Sequence, residues 1–279
     1  MQLNHESKEL YTIMTTQLTT SRILTFLLIC LFSLTACQPQ AVATSAPDSQ
    51  PTQAPTVPTA AAASSENSNV INANITLDPA LTQDADSLKV SQYLYDGLVK
   101  LDSSGKPQPA LAESWVVSDD QLDYIFTLRA NAAFSDGTPI TPDIVADNFN
   151  RWFDPQNPLH DNGNYATWQN IFQGFHGEKG ADKRPKSQVD GIQKVDFNTV
   201  LIHLNRLEPK LLTYLADPAF AILKTDALAA DSKYGGRNSK VISSGPYVIS
   251  SWTDAGLTLS PNPKYWGTAP QGDLKFTWH

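Results

Sequence analysis

Reaction chemistry needs nucleophiles, proton-transfer pairs or metal ligands at workable spacing, and this chain offers few. His160, His176 and His203 have no metal-ligand spacing, and each fits a polar loop or a solvated strand face. Asp119-Asp120 is a carboxylate pair, but it sits with Gln121 between two apolar runs and reads as a hairpin turn. There is no Gly-x-Ser-x-Gly, no paired-His motif and no glycine loop that could cradle phosphate. Both cysteines, Cys30 and Cys37, lie at the start, so nothing later can form a disulfide or a thiolate metal site. No catalytic residue, metal ligand or cofactor is therefore predicted. A formal net charge of -8 over 279 residues argues against nucleic acid, which selects a basic face. Binding of a small solute is the chemistry left.

The first residues address the chain rather than fold it. Arg22 precedes an apolar run from Ile23 to Ala36, shorter than the roughly 20 residues that span a hydrocarbon core. The run fits the apolar stretch of a signal peptide. It ends in Leu34-Thr35-Ala36-Cys37, which looks like a bacterial lipobox and implies cleavage before Cys37 with a diacylglyceryl chain on its sulfur. Residues 1–37 are thus expected to be a signal peptide with lipobox, with Met14 as an alternative start. Residues 38–69 are Ala, Pro, Thr, Ser and Gln with almost no large apolar side chain, and cannot offset ordering entropy by burial. They read as a disordered tether reaching about 30 Å. The expected location is the periplasmic or extracellular face, with the membrane as a partner through the lipid.

Residues 70–279 carry the globular pattern. Val70 to Leu77 reads as a short strand closed by Asp78-Pro79, and Asp86 or Ser87 can cap a helix bearing Leu88, Tyr95 and Leu98, with Leu94 on the same side. Tyr124, Phe126 and Leu128 alternate with Ile125, Thr127 and Arg129, which gives a strand in a hairpin with residues 114–118. The clearest helix begins at Thr141, with Pro142 and Asp143 behind it and Ile144, Val145, Asn148, Phe149, Trp152 and Phe153 on one face. Tyr165, Trp168, Phe172 and Phe175 form an aromatic island at near-helical spacing. Residues 189–195 and 199–204 form a second hairpin. A short helix after Pro209 and strands at 219–223, 247–251, 257–260 and 274–278 complete a mixed α+β pattern.

Four stretches also carry a resemblance. They are Tyr95-Asp96-Gly97-Leu98-Val99 with Pro109-Ala110-Leu111-Ala112-Glu113-Ser114-Trp115, then residues 124–129 running into Phe134-Ser135-Asp136-Gly137-Thr138-Pro139, then Ser244-Gly245-Pro246-Tyr247, and Asn262-Pro263-Lys264-Tyr265-Trp266-Gly267. In this order they resemble solute-binding protein family 5, whose members bind dipeptides, oligopeptides or nickel chelates for ABC importers. The resemblance implies a two-lobed, periplasmic-binding-protein-like fold of the large class II cluster. This chain would be its mixed-sheet first lobe, with the second lobe missing after His279. It implies a lipoprotein that captures peptides or similar small solutes and hands them to ABC permease subunits. A ligand sensor, a surface lipoprotein without transport and a truncated fragment stay open as alternatives. The inner face of the lobe would carry the site, with Asp78, Tyr95, Trp168, Ser244 and Gly245 as candidates. Leu274, Phe276 and Trp278 would then stand at an unpaired strand edge.

Overall fold

A computed structural model describes residues 69–161 and 163–279; the signal segment, Cys37 and the tether up to Ser68 lie outside them. Asn69, expected to end the tether, instead opens β1 (Asn69–Ile71). This strand is much shorter than the expected 70–77. After Ile71 the backbone finds partners off the sheet: Asn72 N–H donates to the Asp86 carboxylate at 2.9 Å and Thr76 N–H to the Ser87 hydroxyl at 3.0 Å. Both acceptors sit in the first turn of α1 (Ala85–Leu94). Asp86 and Ser87 are thus engaged with the incoming chain, and the cap falls to Asp84, whose carboxylate accepts from Ser87 N–H at 2.7 Å.

Two four-stranded sheets follow. One has the order β1-β10-β9-β8, from β8 (Tyr247–Thr253), β9 (Gly256–Pro261) and β10 (Leu274–Trp278). In it β1 runs parallel to β10, and the other pairs are antiparallel. Because β10 has a neighbour on each side, Phe276 is buried, and the sheet's edges are β1 and β8. The expected unpaired edge at β10 is not there. The second sheet has the order β4-β5-β7-β6, from β4 (Ala112–Val117), β5 (Asp123–Leu128), β6 (Val189–Lys194) and β7 (Thr199–Leu204), all antiparallel. A small ladder, β2 (Val99–Leu101) with β3 (Pro107–Pro109), lies between them in sequence. The architecture is α+β, as the periodicities indicate.

Each sheet buries one face. Val90 and Leu94 of α1 join Leu257, Leu259 and Phe276 in one core. In the other, Tyr124, Phe126 and Leu128 meet α2 (Pro142–Phe153) and α3 (Ala166–Phe172). Thr141 caps α2 by accepting from Ile144 N–H at 3.4 Å, and Val145, Phe149, Trp152 and Phe153 face inward as the spacing requires. Residues 219–223 are not a strand. A 3-10 turn at Pro218–Phe220 leads into an extended stretch bonded singly, Ile222 N–H to Asp96 C=O and Leu223 N–H to the Asn148 amide oxygen. This stretch runs between the cores instead of along a ladder. Two short helices, α4 (Leu211–Tyr214) and α5 (Thr225–Ala230), flank it.

Polar side chains tie the cores together. Asn148 of α2 also donates to Leu223 C=O at 2.8 Å. The Lys224 ammonium bonds the Asp136 carboxylate and the Thr138 hydroxyl. The indole N–H of Trp266 donates to the Asp96 carboxylate at 2.8 Å, which explains why two of the resembling stretches occur together. The most buried ion pair among the described residues is the Arg151 guanidinium of α2 forked onto the Asp78 carboxylate, with 4% of each side chain exposed. Arg151→Leu should cost about 3–5 kcal/mol by stranding Asp78 without its counter-charge. Urea denaturation measures this, and a double change, Asp78→Leu with Arg151→Met, should recover most of the loss; a single change without effect refutes the pairing. The Asp136 carboxyl titrates near 2: burial raises its pKa, but the Lys224 bond and the Thr138 N–H lower it further. Its stabilising effect is complete above its unfolded value of 3.8 and is lost as pH falls toward about 2. Asp136→Asn should remove that part of the acid dependence of the urea midpoint.

Candidate ligand-binding face

The stretch from Asn72 to Asp84 leaves the sheet where the parallel strands β1 and β10 end. Three devices fix it. Leu77 N–H donates to Gly235 C=O at 2.8 Å, with the two backbones so close that a Cβ on Gly235 would lie 2.5 Å from Asp78 N. The φ of +94° at Gly235 favours glycine for the same reason. Asp78 is held by Arg151. The Tyr95 hydroxyl donates to Leu77 C=O at 3.1 Å and shares a 3.0 Å bond with the Tyr234 hydroxyl.

Arg151 reaches further into this assembly. Its Nε donates to Leu159 C=O at 3.2 Å, and its guanidinium carbon lies 5.5 Å from the centre of the Tyr165 ring. His160 Nδ1 bonds Arg151 C=O at 2.7 Å, with its ring 4.4 Å from Tyr165. Burial works against the Arg151 charge, yet attraction from Asp78 leaves its pKa raised. Burial pushes Tyr95 well up, and Tyr165 and Tyr234 to about 12, while it lowers His160. At neutral pH this is a set of neutral phenols and a neutral imidazole around one matched charge pair. It holds shape.

Of the five candidates, four converge on the C-terminal end of α1. Asp78 and Tyr95 share the assembly above. The Ser244 hydroxyl donates to Ile222 C=O at 2.8 Å and accepts from Asp96 N–H at 3.1 Å. Gly245 N–H donates to Leu94 C=O, and a Cβ there would lie 2.7 Å from Tyr95 N. Trp168 lies apart, in the second sheet's core, its indole N–H on Gly174 C=O at 3.0 Å. All five are buried with their partners inside the fold. Cys37 lies outside the described residues.

The accessible surface is beside them. A groove of about 570 Å³ is lined by Asn74 and Ile75, by Arg237, and by Trp252, Asp254 and Trp278 at the strand ends. Arg237 pairs with Asp254 and donates from Nε to Trp252 C=O at 3.2 Å; Trp278 donates its indole N–H to Thr253 C=O at 2.9 Å. The groove thus presents two aromatic faces beside one positive and one negative group. Sequence reasoning missed Arg151, Tyr234, Arg237, Trp252 and Asp254. An arginine on the inward face of α2 was the readable signal; Tyr234 meets Tyr95 only in the fold, and Arg237, Trp252 and Asp254 meet only at the β8–β9 hairpin. Among the described residues no three His, Cys, Asp or Glu gather as for a metal, and no helix is long and apolar enough to cross a membrane.

The model of bacterial extracellular solute-binding proteins, family 5, matches residues 106–274. The probable D,D-dipeptide-binding periplasmic protein DdpA of Escherichia coli is 32% identical over 204 residues, covering 70% of this chain and 35% of that protein. Heme-binding protein A of Haemophilus influenzae is 30% identical over 226 residues, 76% of this chain and 40% of its own length. Among solved structures, HbpA2 from Haemophilus parasuis superposes with a TM-score of 0.64 at 30% identity, covering 75% of this chain and 42% of that one. The chain spans well under half the length of these relatives. With a fold and a run of motifs shared over most of its described length, it belongs to the bacterial extracellular solute-binding proteins of family 5.

Proposed function

We propose that this chain forms one wall of the ligand cleft in an ABC importer's substrate-binding lipoprotein, capturing peptides or similar small solutes. The observation that carries the reading is the fixed 72–84 stretch beside the groove at the ends of β1 and β10. A captured solute needs a preorganised surface and no reacting group, because rigidity present before binding is not lost on binding. Trp252 and Trp278 offer apolar faces, and Arg237 with Asp254 offers both signs of charge to a zwitterion. Asp78, Tyr95, Ser244 and Gly245 act as the frame behind this wall, and Trp168 braces the neighbouring core. Relatives with matching sequence are named for dipeptide and heme binding, which supports a small-solute reading. The chain binds and releases without transforming its ligand.

Cys37 would carry the lipid that keeps this wall near the permease, with residues 38–68 as the flexible lead. Two outcomes test the reading. The intrinsic tryptophan emission should shift saturably on titration with di- to pentapeptides, and Trp252→Ala should weaken that binding about tenfold or more at denaturant-free conditions where the variant is still folded by its urea curve. No saturable response to any peptide would remove the peptide reading. For the anchor, Cys37→Ser should leave an unprocessed or soluble chain, followed by membrane fractionation and by mass; membrane partitioning of a correctly trimmed Ser variant would refute lipidation.

A further inference from the structure

We propose that the end of the second sheet formed by residues 178–186 and 206–210 is a docking face for an anionic lipid surface, which sets the orientation of the tethered protein. The proposal rests on the membrane-anchored reading above, and its test separates the two.

Residues 178–186, Glu-Lys-Gly-Ala-Asp-Lys-Arg-Pro-Lys, fold back as a narrow finger ahead of β6. Gly180 N–H donates to Arg184 C=O at 2.9 Å and Lys186 N–H to Glu178 C=O at 2.9 Å. Lys183 turns the tip with a φ of +64°. From Ala181 to Lys186 every residue is exposed, as is Lys179. The finger is nonetheless held firmly at its base. Arg206, just beyond β7, donates to the carbonyls of Pro185, Lys186 and Ser187 and to the Gln173 amide oxygen. Asn205 N–H adds a bond to Gln188 C=O at 2.7 Å. These contacts place residues 206–210 directly beside the finger.

The charge of this end is opposite to that of the chain. Its two segments hold six Lys or Arg and three Asp or Glu, whereas the whole chain holds 20 and 28. Two pairs inside the finger are loose and exposed, Lys186–Glu178 at 3.5 Å and Arg184–Asp182 at 3.9 Å. Lys179 and Lys183 have no ion pair among the described residues. Leu207, which follows Arg206 in the chain, is 56% exposed. An exposed leucine beside a basic patch suits a headgroup layer, where the cations meet phosphates and the alkyl group enters the acyl boundary. Each cation near an anionic leaflet favours the docked orientation roughly fivefold. That is a weak contact for a free protein, but a tether supplies a high local concentration of surface.

The mature chain has no cysteine after Cys37, so Leu207→Cys labelled with an environment-sensitive fluorophore reports this face alone. On vesicles of phosphatidylcholine with phosphatidylglycerol, emission should rise severalfold and shift to the blue. It should stay low on pure phosphatidylcholine and fall back in high salt. In the same background, Lys179→Glu with Lys183→Glu should abolish the response while leaving the urea midpoint unchanged. Equal emission on the two vesicle types, or a response that survives charge reversal, overturns the proposal. The anchor is read separately, by sedimentation of the unlabelled chain and of Cys37→Ser with pure phosphatidylcholine, where the charged face contributes nothing.

Discussion

A charged pair removed from water is the constraint around which this molecule is arranged. Asp78 and Arg151 lose several kcal/mol each of hydration when buried, and only a tight, two-pronged contact offsets that. The pair therefore dictates where its carriers sit. Asp78 belongs to the stretch leaving β1 and Arg151 to α2, so one contact fixes the first sheet's exit segment against the second sheet's main helix. Around the pair, Tyr95 bonds Leu77 C=O, Tyr165 shares Leu159 C=O with Arg151, His160 bonds Arg151 C=O, and Tyr234 bonds Tyr95. A hydrophobic replacement could match the stability. It could not demand one particular register between two cores.

That register matters because capture depends on a surface already in shape. The groove's polar rim is built from backbone and side-chain bonds internal to the fold, as in Trp278 to Thr253 and Arg237 to Trp252. With the phenols neutral and the imidazole kept neutral by burial, proton exchange does not disturb the frame around neutrality. Rigid wall and unreactive lining serve the same end.

Much of this was legible in the residues. The helix from Thr141, both hairpins of the second sheet and the strands near the C-terminus follow from local period and capping, which neighbouring residues decide among themselves. The failures share one cause. Val70 to Leu77 has strand composition, yet its amides prefer the Asp86 and Ser87 side chains. Ala219 to Leu223 is apolar enough for a ladder, yet Asn148 and Asp96 take its donors. In each case an acceptor outside any strand, the Asp86, Ser87 and Asn148 side chains or the Asp96 carbonyl, outbid a strand partner. The expected site residues divide in the same way: Tyr95, Ser244 and Gly245 lie in the resembling stretches and Asp78 in the loop after the first strand, while Arg237 and Asp254 come together only when the sheet closes. The motif residues turned out to be the inner frame, because a frame constrains residue type more tightly than an exposed rim does.

The parallel pairing of β1 with β10 joins opposite ends of the described chain, Asn69 beside Phe276. Contacts of that span close late, since the loop between them must first lose its freedom. Until Phe276 has emerged from the ribosome, β1 has no parallel neighbour, and Ile71 has no lid over it. If the proposed signal segment carries the chain across a membrane in an extended state, such a delay is an advantage. The first strand of the described chain cannot lock into the first sheet before nearly everything else has been made, so translocation of that kind would meet an unfinished fold.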